Sequence, residues 1–386
     1  MLRRIVQLAF FALNAWIGVE FYLFVRYYET GGQSVFAGRP PGVEGWLPIA
    51  SMMNLKVLLS TGQMPRLHPA GMFLLIAFVA ASWLFRKSFC GWLCPVGTMS
   101  EYLWRLGRQT FGRNFRLPRK LDVGLRSLKY LLLGLFLYAV GSMSVTAILA
   151  FLEGPYGIVD DVKMLNFFRF MGLTGGIVVA LLVVASVFVQ NFWCRYLCPY
   201  GALMGLASLA SPLRIRREAS LCIDCGKCAK ACPSALPVDR LVTIRSAECI
   251  GCLECVAECP AAGALMGLVS LASPLRIRRE ASLCIDCGKC AKACPSALPV
   301  DKLITIRSAE CIGCLECVAE CPAAGALMMA APRRRRVPAW AMAAGVAILF
   351  LGICGLAQWT GHWRTDLSSD TYFRLIPHAN EFTHPR

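Results

Sequence analysis

Histidine is scarce in this chain: four in 386 residues, at His68, His362, His378 and His384. None lies inside a long apolar run, so no pair of imidazoles is placed to hold a haem within a membrane. No Cys-x2-Cys-His string offers a covalent haem attachment point. No Gly-x-Gly-x-x-Gly fingerprint is present, so a nicotinamide dinucleotide is not an evident direct substrate. Charge is sparse as well. Charged residues make up 16% of the chain and hydrophobic ones 57%, a balance that points to a membrane. Acids are the scarcer sign, 23 against 40 Lys and Arg, for a net charge of +17. Most of the excess flanks apolar runs, with no base-stacking module in view. It reads as a topology signal, not as a nucleic-acid surface.

Cysteine, in contrast, is abundant, with 21 copies. Residues 201–262 carry Cys222, Cys225, Cys228, Cys232-Pro233 and then Cys249, Cys252, Cys255, Cys259-Pro260. The pattern recurs 62 residues on, as Cys284, Cys287, Cys290, Cys294-Pro295 and Cys311, Cys314, Cys317, Cys321-Pro322. Each group reads C-x2-C-x2-C-x3-C-P, the spacing of a bacterial two-cluster ferredoxin. Three cysteines at a step of three converge on one cubic cluster, and the fourth reaches the neighbouring one. The expected ligand sets are Cys222, Cys225, Cys228 with Cys259, and Cys249, Cys252, Cys255 with Cys232. The second copy offers Cys284, Cys287, Cys290 with Cys321, and Cys311, Cys314, Cys317 with Cys294. Structural zinc uses paired ligands instead, and disulfides need an oxidising compartment. Residues 201–262 and 263–324 differ at three positions, Ala207/Val269, Arg240/Lys302 and Val242/Ile304. That identity indicates recent duplication or an assembly error in the sequence, and both copies keep all eight cysteines.

The chain in order predicts five membrane helices. Helix one is about Ile5–Val25, uncleaved, held inside by Arg3 and Arg4. Glu20 lies near its outer end, as a solvated carboxylate or a proton acceptor. Residues 26–69 form an outer loop with an interfacial helix near Leu47–Ser60. Helix two is about Ala70–Phe85, helix three Tyr130–Phe151, helix four Gly172–Phe192 and helix five Val337–Gln358, with an outer tail from Trp359. The inner segments outside the repeats hold 17 Lys and Arg, the outer ones 9. That places the ferredoxin modules in the cytoplasm and the C-terminus outside. His68 and His362 read as exposed residues near outer helix ends. The expected domains are a four-helix membrane domain (1–200), two tandem small α+β ferredoxin modules (201–262 and 263–332), and a fifth helix with tail (333–386).

A second motif ends helices two and four: Cys90-x3-Cys94-Pro-x-Gly and Cys194-x3-Cys198-Pro-x-Gly, 104 residues apart. Residues four apart share a helix face. Pseudo-twofold symmetry of the two hairpins could bring the pairs together as a four-thiolate site for a metal or cluster. The plainer alternative is inert buried cysteine, the reading given to Cys354.

The strings Cys90-Gly-Trp-Leu-Cys94-Pro-Val-Gly and Cys194-Arg-Tyr-Leu-Cys198-Pro-Tyr-Gly, followed by ferredoxin motifs, resemble the NapH/NosR-type membrane-bound polyferredoxins. The resemblance covers residues 1–262. It implies a bacterial inner-membrane electron carrier with [4Fe-4S] clusters, up to four here, serving a partner reductase on the periplasmic side; the Cys-x3-Cys cysteines would connect those clusters with a membrane quinone pool or a partner subunit. Relatives also include copper-reducing accessory proteins, so reduction or handling of copper or iron for enzyme assembly is the alternative. The fifth helix and doubled module depart from the nitrate-reductase members. The chain is expected to act as an electron-transfer component of an oxidoreductase system.

Overall fold

The computed structural model describes residues 2–384 apart from 86, 113–114, 116, 212, 218–221, 245, 261–264, 270–275, 280–282, 293–299, 302–320, 324–326 and 331–338. The helices are α1 (Leu2–Glu29), α2 (Pro48–Thr61), α3 (Pro69–Phe85), α4 (Pro95–Phe111), α5 (Arg119–Ser142), α6 (Val145–Glu153), α7 (Pro155–Ile158), α8 (Asp160–Arg169), α9 (Leu173–Phe188) and α10 (Pro199–Leu209). A ferredoxin portion follows, then α14 (Ala339–Trp359) and α15 (Ser369–Leu375). The ferredoxin portion holds α11 (Lys227–Ala231), α12 (Glu254–Ala257) and α13 (Lys289–Lys292).

The apolar helix α3 is the hub. It packs against α2, α10, α14 and a 3-10 turn at Pro41–Trp46. Its residues from Pro69 to Leu75 are all buried, as expected of a helix apolar on every side. Among the described residues, two helices are long and apolar enough to cross a membrane, Arg3–Glu29 and Leu121–Ser142, or three if α8 and α9, bent by 83°, count as one span. Helices stand at all five expected positions, but α3 and residues 344–359 of α14 are shorter apolar helices. At 1.5 Å per residue α3 rises roughly 26 Å, a little under a hydrocarbon core of about 30 Å. The third helix is displaced from its expected bounds and stops at Ser142. There Lys56 of α2 donates to the carbonyls of Val140, Gly141 and Met143, and Ser144 caps α6 through the Ala147 N–H. Exposed Ile5, Leu8 and Trp16 on α1, and Leu173, Ile177 and Leu181 on α9, form the faces such helices turn to lipid.

The face opposite the ferredoxin portion is closed by a buried charge hub. Arg39 donates to Glu44 at 2.5 Å, to Asp161 at 2.7 Å and to Thr365 Oγ1 at 2.9 Å. Its Nη2 also lies 3.0 Å from His68 Nδ1, and His68 Nε2 is 2.9 Å from the Gly157 carbonyl. His68 is therefore buried, contrary to the exposed residue expected, because four separated segments converge on it. Nor is the tail free: Tyr372, Leu375 and Ile376 join Phe21, Phe24 and Val25 in one hydrophobic cluster.

In the ferredoxin portion, β1 (Leu213–Arg217) lies between β2 (Thr243–Ile244) and β3 (Leu265–Val269), all antiparallel, with Ile215 opposite both Ile244 and Gly267. A second sheet pairs β4 (Arg276–Arg279) with β5 (Leu327–Ala330). The first sheet thus closes on a strand from the second sequence repeat, so the sequence period and the folded unit are out of phase.

Candidate functional site

The two Cys-x3-Cys strings form matching local structures. Lys87 and Asn191, each three residues before the first cysteine, adopt φ of 51° and 52°, a left-handed turn uncommon for non-glycine residues. A π-helical turn follows each, Phe89–Leu93 and Trp193–Leu197, closed by Cys94 N to Phe89 O at 2.9 Å and Cys198 N to Trp193 O at 3.0 Å. Such widened turns recur at functional sites, and they replace the α-helical spacing expected from sequence. The second cysteine of each pair then caps the next helix. Cys94 Sγ accepts from Gly97 N at 3.4 Å and Cys198 Sγ from Gly201 N at 3.2 Å. A helix N-terminus favours negative charge, which suits thiolate sulfur. Gly97 has to be glycine, because a Cβ there would stand 2.6 Å from the Cys90 carbonyl.

All four of these cysteines line one cavity of about 380 Å³. It runs from them past Phe10, Leu13 and Ile17 of α1 towards Gly42 and Trp46 of the 3-10 turn. Burial pushes the Cys90 thiol up to about 11, against the pull of Lys87, and raises Cys94, Cys194 and Cys198 in the same direction. Among the described residues no three His, Cys, Asp or Glu side chains gather closely enough to share a single metal ion.

Cys232, Cys249, Cys252 and Cys255 line one small cavity walled by Ile215, Leu236, Val238 and Ile244. Four soft sulfurs around a dry apolar pocket fit an iron–sulfur cluster. Burial pushes the Cys252 thiol up to about 12 and Cys255 higher still, so loading such a pocket releases protons. Cys228 lies within electrostatic reach of Cys222 and Cys259, with Cys225 exposed to solvent. In the second copy Cys290 lies within reach of Cys321, with Cys284 half-buried and Cys287 exposed. Cys294, Cys311, Cys314 and Cys317 lie outside the described residues. Cys354 is packed with Leu74, Phe78 and Val346.

The first ferredoxin portion is docked on the membrane part through residues 233–254. Lys129, fully buried in α5, gives 2.7 Å contacts to both Glu248 oxygens, and Lys87 stands 4.0 Å from the same carboxylate. Arg3 donates to Glu254 at 2.7 Å and to Glu101. Trp92 Nε1 reaches the Gly251 carbonyl at 3.4 Å, and Arg195 donates to the Ser234 carbonyl at 3.0 Å. Ile250, between two of the cysteines, lines the same large cavity as Cys90. In the sequence Arg3, Lys87 and Lys129 read as a topology signal alone, and Glu248 carries none. A lysine inside the apolar run of α5 was the available signal.

Gly91 sets the closeness of this docking, since a Cβ there would meet the Ile250 carbonyl at 2.7 Å. Gly91→Ala is expected to weaken the seat by about 1–3 kcal/mol, the usual cost of overpacking. Hydrogen exchange should show it as faster exchange at residues 247–254; unchanged protection there would refute the tight seat.

The family description "4Fe-4S binding domain" matches residues 67–114 and 171–218, once around each Cys-x3-Cys string. The description "4Fe-4S dicluster domain" matches 214–260 and 276–322. The Putative electron transport protein YccM of Escherichia coli is 55% identical over 246 residues, covering 64% of this chain and 69% of that protein. This chain belongs to the NapH/NosR-type family of membrane-bound polyferredoxins. The Regulatory protein NosR of Pseudomonas aeruginosa is 34% identical over 165 residues, 42% of this polyferredoxin and 22% of NosR. The Ferredoxin-type protein NapH of Haemophilus influenzae is 28% identical over 166 residues, 43% of this polyferredoxin and 53% of NapH. The polyferredoxin thus spans about a fifth of NosR and half of NapH. No solved structure matches it. It is a membrane-associated electron-transport protein that binds [4Fe-4S] clusters.

Proposed function

We propose that this polyferredoxin relays single electrons between a cytoplasmic or quinone-linked donor and a partner reductase on the periplasmic side of a bacterial inner membrane. In this reading the ferredoxin portions face the cytoplasm and the C-terminal residues the periplasm. The excess of Lys and Arg in the inner segments supports it. The ligand sets are those expected from spacing: Cys222, Cys225, Cys228 and Cys259; Cys232, Cys249, Cys252 and Cys255; and their counterparts in the second copy. The clusters they hold supply one-electron storage. The observation that carries the relay is the shared cavity, in which Cys90, Cys94, Cys194 and Cys198 meet Ile250 of the docked ferredoxin portion.

In this reading those four thiols form a further redox centre. The chain's own residues do the positioning. The helix N–H groups of Gly97 and Gly201 hold two of the sulfurs, and Lys87 and Lys129 place positive charge nearby. The rest of the cavity is mostly apolar, with Asn14, Glu101, Asn191 and Glu248 also in its wall, and is of a size that small-molecule sites usually have. This supports a lipid-soluble quinone as one exchange partner. The rival reading, reduction or hand-over of copper or iron, requires several ligands to converge on one ion. The reach of the cavity from these thiols to Ile250 of the ferredoxin portion favours the relay.

The test is the double variant Cys90→Ser/Cys194→Ser in membranes. Electron flow from reduced donor to partner should fall to background with the ferredoxin clusters still loaded. Intact flow combined with loss of metal from a partner enzyme would select the metal-handling reading instead.

A further inference from the structure

The docking has a definite polarity. The contacts that hold the first ferredoxin portion run through residues 233–254, the stretch bearing or flanking Cys249, Cys252 and Cys232. At the other end, Cys225 is exposed, with Ile223 65% exposed beside it. The charges differ too. On the inner side Arg3, Lys87, Arg105 and Lys129 meet three carboxylates, Glu101, Glu248 and Glu254. Among the described residues Arg126 and Arg195 pair with one carboxylate, Asp122. Positive charge is therefore in excess, in a setting where Arg3 and Lys129 are buried. On the outer side, among the described residues, a single cation, Arg217, bonds Cys222 and pairs with Asp224, whose Oδ1 lies 3.5 Å from Cys222 Sγ.

We propose that the Cys232/Cys249/Cys252/Cys255 set is the membrane-side terminal of the first ferredoxin portion, with its potential set by Arg3 and Arg195 of the membrane part, and that the Cys222/Cys225/Cys228/Cys259 set is the port for a soluble one-electron donor. The inference deepens the relay reading and rests on it for the ligand sets. Gaining an electron adds negative charge to a thiolate-bound cluster. A fixed cation in a low-dielectric interior favours that gain more than the same cation in water does, so the charge near a cluster is one of the levers on its potential. Arg3 is the stronger candidate. It reaches across 251 residues of sequence to Glu254, two positions from Cys252. It also donates to the Gly91 carbonyl at 3.0 Å, beside the first Cys-x3-Cys turn. Arg3 is thus a positioning residue that couples the docking of the ferredoxin portion to how readily that portion accepts an electron. Each transfer moves one electron. A reduced viologen radical loses it, the outer set gains it, and the inner set then gains it from the outer.

The test is a redox titration of the full-length chain in detergent, followed by electron paramagnetic resonance. The signal abolished by Cys252→Ser identifies the inner set, and the one abolished by Cys225→Ser the outer set. Arg3→Gln should shift the inner midpoint downward and leave the outer one in place, whereas Arg3→Lys, which keeps the charge, should largely retain it. Reduced methyl viologen should reduce the Cys225→Ser chain several-fold more slowly than the parent. Equal movement of both midpoints, or of neither, would overturn the proposal. Should Arg3→Gln fail to insert, Arg195→Gln reads the same signal with the same expected sign. These midpoints are measured without any partner. A failed relay, seen in the Cys90/Cys194 variant, is therefore distinguishable from a failed assignment of polarity.

Discussion

Serine at Cys252 is expected to remove about four irons per chain, one cubic cluster's complement, while serine at Cys354 removes none. Cys252 shares its cavity with Cys232, Cys249 and Cys255, walled by aliphatic side chains. A serine hydroxyl is a harder ligand and a poor match for iron–sulfur chemistry, and no other described cysteine lines that pocket to replace it. Burial pushes the Cys252 thiol up to about 12, and metal binding to a thiol displaces its proton. Loading should therefore weaken as pH falls. Iron and sulfide analysis of anaerobically purified protein checks both statements. An unchanged iron count in Cys252→Ser would remove Cys252 from the ligand set.

Arg39→Ala should open the opposite face of the bundle. Arg39 bonds Glu44 and Asp161 at once, and both carboxylates are buried. Removing the cation leaves two buried charges without their main partner, a loss of about 3–5 kcal/mol for a buried pair. Arg39→Lys should also be costly, because an ammonium cannot reproduce the guanidinium fork. The hub carries a pH signature. Burial alone would raise the Glu44 carboxyl, but Arg39 and His68 bring it from an ordinary 4.5 down to about 2. A depressed carboxyl contributes stability that is present above pH 4.5 and is lost as pH falls through 2. Its size is on the order of 3 kcal/mol. Proteolysis of the segment after Trp359, followed against pH and in the Arg39 variants, reads the effect, since Thr365 and the helix α15 are held against this hub and its neighbouring cluster. A segment equally resistant in Arg39→Ala would show that the hub does not hold it.

The iron–sulfur chemistry was legible because its information is local. Three cysteines at a step of three declare a shared centre wherever the segment sits, and a repeated Cys-Pro-x-Gly string declares a repeated turn. Apolar runs marked the helix positions. They did not mark the break at Ser142, which depends on Lys56 arriving from another helix. The docking of the ferredoxin portion was illegible for the same reason. Arg3 and Glu254, or Lys129 and Glu248, are ordinary charges until the chain brings them together across 251 and 119 residues.

The repeated segment separates the two kinds of information most sharply. Gly201-Ala-Leu-Met-Gly-Leu-Ala and Gly263-Ala-Leu-Met-Gly-Leu-Val differ at one residue. Yet Pro199–Leu209 is an α-helix and Leu265–Val269 a β-strand. In the first copy Cys198 caps the helix, Pro199 occupies its first turn and α3 and α5 receive it. In the second copy β1 offers a free edge whose N–H and C=O groups require partners. Composition and cysteine spacing determined on their own that this chain is apolar, membrane-bound and built to hold iron–sulfur clusters. Only the tertiary structure decided which copy of one near-identical string becomes helix and which becomes strand, because backbone hydrogen bonds go to whatever partner the surrounding fold provides.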